Sequence, residues 1–302
     1  MFLCNFHADT PTKLYRSNLP FSHPALQAGA HAHLPFGAAF EVYAVYSERS
    51  ESDEQAWNTC FRKLSRFRRA IGDCRLPVPL HLFAVEDGRI LAGDIKRLET
   101  LYLAGIRFLV LVWQGESVIG GAYDTDVGLT DFGRETVREC FRLGIILDIS
   151  HASDRLADEV LDMASAASRP VIASHSCFRA LQQIPRNISD GLCHRVAESG
   201  GIIGISLYPP HLTDKEATIE TVAEHIGHGL CIAPRSIVLG TDYDGIESTP
   251  VGLPVTAALV RLADRLLSLG FSEDTVRDVF YRNGIRFLKK NFPQFDTSQF
   301  NT

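Results

Sequence analysis

The sequence predicts a single (β/α)8 barrel, and three observations carry that reading. Apolar runs of strand length alternate with amphipathic, helix-length stretches along nearly all 302 residues. The alternation repeats eight times, which closes a barrel more naturally than it builds an open sheet. Side chains able to bind metal stand at the carboxyl ends of several apolar runs, the end where such barrels assemble their sites. A doubly wound sheet would more often carry a glycine-rich phosphate loop after its first strand, and FHADTPTKL is not one.

The first strand is predicted at 2–7. The segment 10–37 that follows is long, rich in Pro, His and Ala, and reads as a connection without regular structure, functional or flexible. A strand at 40–47 leads to a helix at 53–71, opened by Ser52-Asp53. The third and fourth strands fall at 79–86 and 106–113, with a helix at 92–104 between them. Thr130-Asp131 opens a helix at 131–143, a strand follows at 145–150, then a helix at 154–167. The last three strands, at 170–174, 201–208 and 236–241, are separated by helices at 190–199 and 216–229. Helices at 254–269 and 273–290 finish the pattern, the second opened by Ser272 and Glu273. Gly105, Gly144, Gly200 and Gly270 stand where left-handed helix caps are expected. Without repeat or linker the chain reads as one domain, residues 1–302, with about 293–302 a flexible tail.

Composition narrows the function classes. The chain is 45% hydrophobic and 22% charged, as soluble globular proteins are. Net charge is -6 and no Lys/Arg run occurs, so a nucleic-acid partner has no electrostatic footprint. No apolar stretch approaches the roughly 20 residues of a membrane span. The start MFLCNFHADT lacks a basic region, a long apolar core and a cleavage site, so no signal peptide is expected. Seven scattered cysteines with no CxxC pair predict reduced thiols in a cytoplasmic protein.

The chemistry gathers at the strand ends. His7 and Asp9 sit at i and i+2, a spacing that puts both on one face of a strand, and imidazole with carboxylate suits zinc or a similar ion. His151 and His175 each end an apolar run. One such histidine would read as part of a helix cap beside its serines, but two on successive strands next to His-x-Asp read as ligands. Glu86 ends HLFAV, where an unpaired carboxylate is costly. A carboxylate bridging two cations removes that cost, and ions about 3.5–4 Å apart clamp a water between them. No lysine falls at a predicted strand end to serve as a bridge instead. Asp242, in GTDYDG, is placed to take a proton from water and deliver it to a leaving amine, whereas Asp244-Gly245 fits turn chemistry. Arg186, on a loop, is either solvated or holds a substrate carboxylate bidentately. His225 and His228, on a predicted helix, read as packing or surface residues. His31-Ala-His33 imitates a metal motif but lies in an irregular stretch.

The blocks FHADTP, AVEDG, GLTDFGRETV, GIILDISHAS, PVIASHS, PRNISD, GTDYDG and RNGIRFL occur in an order that resembles the membrane dipeptidase (renal dipeptidase) family of zinc metallopeptidases, bacterial-type members included. The resemblance covers nearly the full length. It implies a (β/α)8 barrel of the metal-dependent hydrolase type with two zinc ions per chain, one on His7 and Asp9, the other on His151 and His175, bridged by Glu86. It implies proton transfer by Asp242, capture of a dipeptide's C-terminal carboxylate by Arg186, and a possible homodimer. Two departures stand out. EDG replaces the family's EGG and adds an acid, Asp87. Trp113 stands where mammalian members carry a histidine that assists the scissile carbonyl, leaving carbonyl polarisation mainly to zinc. The LYPPHL loop brings Tyr208 or His211 toward the pocket. The expected function is zinc-dependent hydrolysis of dipeptides. Two alternatives are a related activity on a modified or D-residue dipeptide, a β-lactam or another small amide, and a non-catalytic peptide-binding barrel.

Overall fold

A computed structural model describes residues 1–300; positions 301 and 302 of the expected tail lie outside the described residues. Eight parallel strands close in chain order: β1 (Phe2–Ala8), β2 (Ala38–Tyr46), β3 (Leu80–Glu86), β4 (Ile106–Val110), β5 (Ile146–Asp148), β6 (Val171–Ser176), β7 (Ile203–Ile205) and β8 (Ile237–Leu239). β8 returns to β1 through the pair Asn5–Leu239, so no edge is left open. The (β/α)8 barrel is therefore the observed fold. Most of the ladder is buried on both faces, which is why the strands read as continuous apolar runs rather than alternating ones.

Local signals set the helices that hold this cylinder. Ser52 and Gln55 form a reciprocal capping box at the start of Asp53–Gly72. Thr130 accepts from the Gly133 amide and Ser153 from the Leu156 amide, opening Asp131–Leu143 and Asp154–Ala167. Gly105, Gly144, Gly200 and Gly270 all adopt left-handed φ, at 91°, 78°, 83° and 91°.

Four regions differ from the sequence expectation. The segment 10–37 is not unstructured: it opens with helix α1 (Thr10–Ser17), which has proline in its first turn, and contains a 3₁₀ turn at Ala30–His33. Phe21, Leu26 and Ala28 within it are buried. β5, β7 and β8 are three residues each, shorter than their apolar runs, because burial continues past the last ladder pair. The stretch 273–290 is divided, with a π-helical turn at Asp278–Arg282 between Glu273–Arg277 and Asn283–Asn291. Residues 293–300 do not trail away. Phe295 packs edge-on against Phe40 at 5.6 Å and buried Phe300 packs against Phe2, also at 5.6 Å.

One irregularity bears directly on the site. The β1–β2 register slips between Asn5 and Ala8. Phe6 reaches Phe108 on β4, a strand that is not its neighbour, so the Phe6 ring points into the barrel. His7 converges with residues of β3 and β6 and so also points inward. A regular strand sends successive side chains to opposite faces; the bulge lets both turn in.

Candidate functional site

Each site residue arrives by a different local device. His7 is turned inward by the bulge. Asp9 immediately precedes helix α1, where an aspartate ordinarily caps the helix. Its side chain makes no cap bond. One carboxylate oxygen instead lies 3.5 Å from His7 Nε2 and the other has no hydrogen-bond partner. Glu86 is the last residue of β3 and His175 lies within β6. His151 and Asp242 follow β5 and β8 in left-handed backbone, φ 71° and 62°. Such conformations in non-glycine residues are uncommon and gather at functional sites. Gly245 leaves the room these groups need, since a Cβ there would lie 2.3 Å from Asp9 Oδ2 and 2.9 Å from Asp242 Oδ1.

The side chains meet around one carboxylate. Glu86 Oε2 lies 3.4 Å from His7 Nε2. Its other oxygen lies 3.0 Å from His151 Nε2 and 3.4 Å from His175 Nε2. The two latter nitrogens are 2.9 Å apart. Asp242 Oδ1 stands 3.9 Å from His7 Nε2. Three overlapping sets of ligand atoms result, each within 4.8 Å: His7, Asp9 and Glu86; Glu86, His151 and His175; and His7, His175 and Asp242. Ser174, between the rings, approaches His175 Nδ1 at 2.8 Å and His7 Nδ1 at 3.3 Å, fixing both imidazoles from behind.

This cluster fits cations better than it fits the protein alone. His7 Nε2 is fully buried and has no hydrogen-bond partner. Burial, followed by the Arg186 charge, pushes His151 down to about 4, and His175 is held well below its ordinary value by burial and His7. Both are thereby kept as neutral imidazoles, the metal-binding form. Burial alone would raise Glu86, yet His7 and the two other histidines hold it well below the usual carboxylate range. Burial and then Glu86 push Asp9 up to about 6, and burial drives Asp242 well above its ordinary value, with Asp9 and Glu86 adding to the rise against His7 and Arg186. Two divalent ions would relieve that crowding of carboxylates and reverse its pKa consequences.

The cluster forms the floor of a pocket of about 410 Å³ at the carboxyl end of the strands. Arg186, Trp113 and Tyr208 all line it, as does His211. Arg186 is buried; its two terminal nitrogens donate to His175 O (3.0 Å) and Ser176 Oγ (3.3 Å), and its Nε has no partner. Trp113 packs between Tyr46 (5.1 Å) and His151 (5.7 Å). His211 is buried and pushed down to about 2, first by burial and then by Arg186, so it is neutral.

Other residues occupy places the sequence reading did not give them. Asp87 is absent from the pocket lining. It accepts from the Arg89 amide at 3.0 Å and faces the Arg89 guanidinium at 3.4 Å, capping the 3₁₀ turn Gly88–Leu91. Asp244 does more than turn the chain: it accepts from Thr10 Oγ1 (2.7 Å) and from the amides of Gln27 and Ala28, tying the 10–37 segment to β8. His33 pairs with buried Glu41 at 2.7 Å, far from a metal role. His225 bridges the Phe178 amide and Leu212 O, and His228 meets Asp190 near the surface. Tyr46, Tyr123 and Asn5 were not singled out. Tyr46 and Tyr123 line the pocket, but a tyrosine at a strand or loop end carries no signal that separates it from core. Asn5, a polar residue in an apolar run two positions before His7, did offer one.

Sequence relatives and solved structures place the chain among known proteins. The family model described as membrane dipeptidase (peptidase family M19) matches residues 79–295. An uncharacterized dipeptidase of Schizosaccharomyces pombe is 33% identical over 69% of this chain and 52% of its own. Human dipeptidase 3 is 33% identical over 69% of this chain and 44% of its own. The chain thus spans about half the length of the curated relatives it matches. Among solved structures, a dipeptidase of the M19 metallopeptidases superposes with TM-score 0.86 at 22% identity, covering 96% of this chain and 98% of that one. A Rhodobacter sphaeroides metallopeptidase liganded with a phosphinate mimic of L-Ala-D-Ala gives 0.86 at 21% identity, covering 97% and 99%. At such identities the structures speak for the fold, and the family match speaks for descent: the chain belongs to the membrane dipeptidase family, peptidase family M19.

Proposed function

We propose that this chain is a dipeptidase that binds two zinc ions and hydrolyses the peptide bond of dipeptides. The observation that carries the reading is Glu86, whose two oxygens face two separate nitrogen sets, His7 on one side and His151 with His175 on the other. His7 and Asp9 would hold one ion, His151 and His175 the second, with Glu86 shared. When bound, such ions supply a water acidified toward neutral pH and a polarised carbonyl.

The protein's own groups do the rest. Asp242, 3.9 Å from His7 Nε2, accepts the proton of the attacking water and returns it to the leaving amine. Arg186, with Nε free of partners, offers donors to the C-terminal carboxylate and fixes the length of substrate admitted. Trp113, Tyr46 and Tyr123 wall the pocket with rings that exclude water from the reacting bond. Seven unpaired cysteines support a cytoplasmic setting, and among the described residues no helix is long and apolar enough to cross a membrane.

Purified protein should contain close to two zinc per chain and cleave members of a dipeptide panel, with chelation abolishing and zinc restoring the activity. A protein that binds no metal, or is indifferent to its removal, would overturn the reading. A second reading assigns a D-residue dipeptide as the better substrate. The complex of the Rhodobacter sphaeroides protein with an L-Ala-D-Ala mimic favours it, and turnover of L,D- against L,L-dipeptides decides between the two.

A further inference from the structure

We propose that Glu247 makes this pocket select dipeptides bearing a cationic side chain, of the arginine, lysine or ornithine kind. The inference rests on the dipeptidase reading and adds a substrate class to it.

The charged groups around the pocket differ in their commitments. Asp9 and Glu86 belong to the ligand cluster, Asp242 faces it, and Arg186 is aimed at the substrate carboxylate. Asp244 is held by Thr10 and two backbone amides. Glu48 is clamped by both terminal and inner nitrogens of Arg16, at 2.5 and 2.9 Å, with Lys63 behind it at 3.5 Å. Glu247 is different. It lines the pocket from the loop after β8, is exposed, and has no cation within ion-pair distance among the described residues. Tyr208 lines the same pocket. Burial, and then the Glu247 charge, holds the Tyr208 proton more firmly than usual, and the exposed Glu247 carboxylate is left facing the pocket.

Aromatic rings in the same pocket suit this ligand. Tyr46 and Trp113 stand 5.1 Å apart with rings at 60°, and Tyr123 continues the wall. Aliphatic stems of arginine and lysine pack on such rings while the charged head reaches a carboxylate at the rim.

Arginine and citrulline dipeptides test this, because they match in shape and differ in charge. With zinc supplied, wild-type kcat/KM should favour arginine over citrulline by about 3- to 10-fold at one of the two residue positions, as a partly solvated charged hydrogen bond does. The preference should shrink as salt is raised. Glu247→Gln should bring the ratio near one, and Glu247→Lys should reverse the order for glutamate against glutamine side chains. Equal turnover of arginine and citrulline peptides at both positions, or a preference that survives in Glu247→Gln, overturns the role of Glu247 and leaves the dipeptidase reading standing. A wild-type protein that cleaves other dipeptides but neither of these overturns this inference alone, and one that cleaves no dipeptide overturns the dipeptidase reading and this inference with it.

Discussion

The two ends of this barrel are built on opposite principles. Toward the amino ends of the strands the interior is aromatic: Phe6, Phe40 and Phe108 meet Phe287, Phe292 and Phe295 from the C-terminal segment at 5.6–5.9 Å. The carboxyl ends gather histidines and carboxylates, nearly all buried. The backbone divides likewise. Of the six non-glycine residues in left-handed conformation among the described residues, His151, Asp242 and Asp244 stand at the carboxyl end, while Asn18, Ala92 and Ser168 close helical turns. One end gains stability from volume and shape; the other keeps unpaired charge and strain that only a ligand can relieve. Substitutions at the two ends should therefore separate cleanly in what they damage.

The largest effect is expected at Glu86. Glu86→Gln removes the negative charge between the two nitrogen sets, so metal content and activity should fall together, activity by more than about 100-fold. The aromatic base is untouched, and the variant should stay folded by circular dichroism. Retention of two tightly bound zinc ions with full activity would refute the shared role. Asp242→Asn should act on rate alone, lowering kcat by about 10²–10⁴-fold with metal content unchanged. An unaltered kcat would send the proton elsewhere, though not to Asp87, which the structure pairs with Arg89.

The reciprocal test lies at the base. Phe108 is about 1% exposed and sits between Phe6 and Phe292. Phe108→Ala should cost about 3–5 kcal/mol of stability. The folded fraction should keep its zinc and its kcat. Loss of metal affinity at this position would mean that the two ends are mechanically coupled, and the contrast would fail.

Arg186→Ala should lower kcat/KM about 10- to 200-fold for dipeptides with a free C-terminus, the worth of hydrogen bonds between charged groups. C-terminally amidated dipeptides should be much less affected. Equal losses on both would assign Arg186 to holding His175 O and Ser176 Oγ in place.

The same contrast explains what was legible in the sequence. Glu86, His151 and His175 stood out because the runs before them are apolar and buried, so a charged or imidazole side chain there has no packing reason to exist. The eight-fold alternation was legible for the same cause. Helix α1 was not, because Thr10, Pro11 and Thr12 are poor helix formers and eight residues nucleate weakly; Pro11 and the burial of Leu14 hold it. The lengths of β5, β7 and β8 were overread because burial, and single backbone bonds such as Leu207 N to Thr241 O at 3.2 Å, outlast the regular ladder. Tyr46 and Tyr123 reach the pocket through tertiary placement alone. Asp9 was legible as a candidate ligand, but its reason was not: a cap position whose side chain declines to cap is visible only in three dimensions.

Asn5 is where the two ends meet, and it offers the smallest and sharpest test. It is fully buried, and its side-chain nitrogen contacts Glu41 Oε2 (2.8 Å), Thr241 Oγ1 (2.9 Å) and His7 O (3.1 Å). Its oxygen accepts from the Thr241 amide at 2.8 Å. These bonds hold the bulge that turns His7 inward and the strand end that leads to Asp242, whose amide also reaches His7 O at 3.1 Å. Asn5→Leu removes them and leaves the Thr241 amide without its buried partner, a loss of about 1–3 kcal/mol in stability. A residue that only packs the barrel would show that loss and nothing more. A residue that aims His7 should also weaken zinc binding about 10- to 100-fold, as supporting groups around a metal do. Titration of the metal-free variant with zinc measures this without reference to turnover. Wild-type affinity in a destabilised Asn5→Leu protein would place Asn5 with the aromatic base, and the boundary between the two ends would then lie above it, at His7 itself.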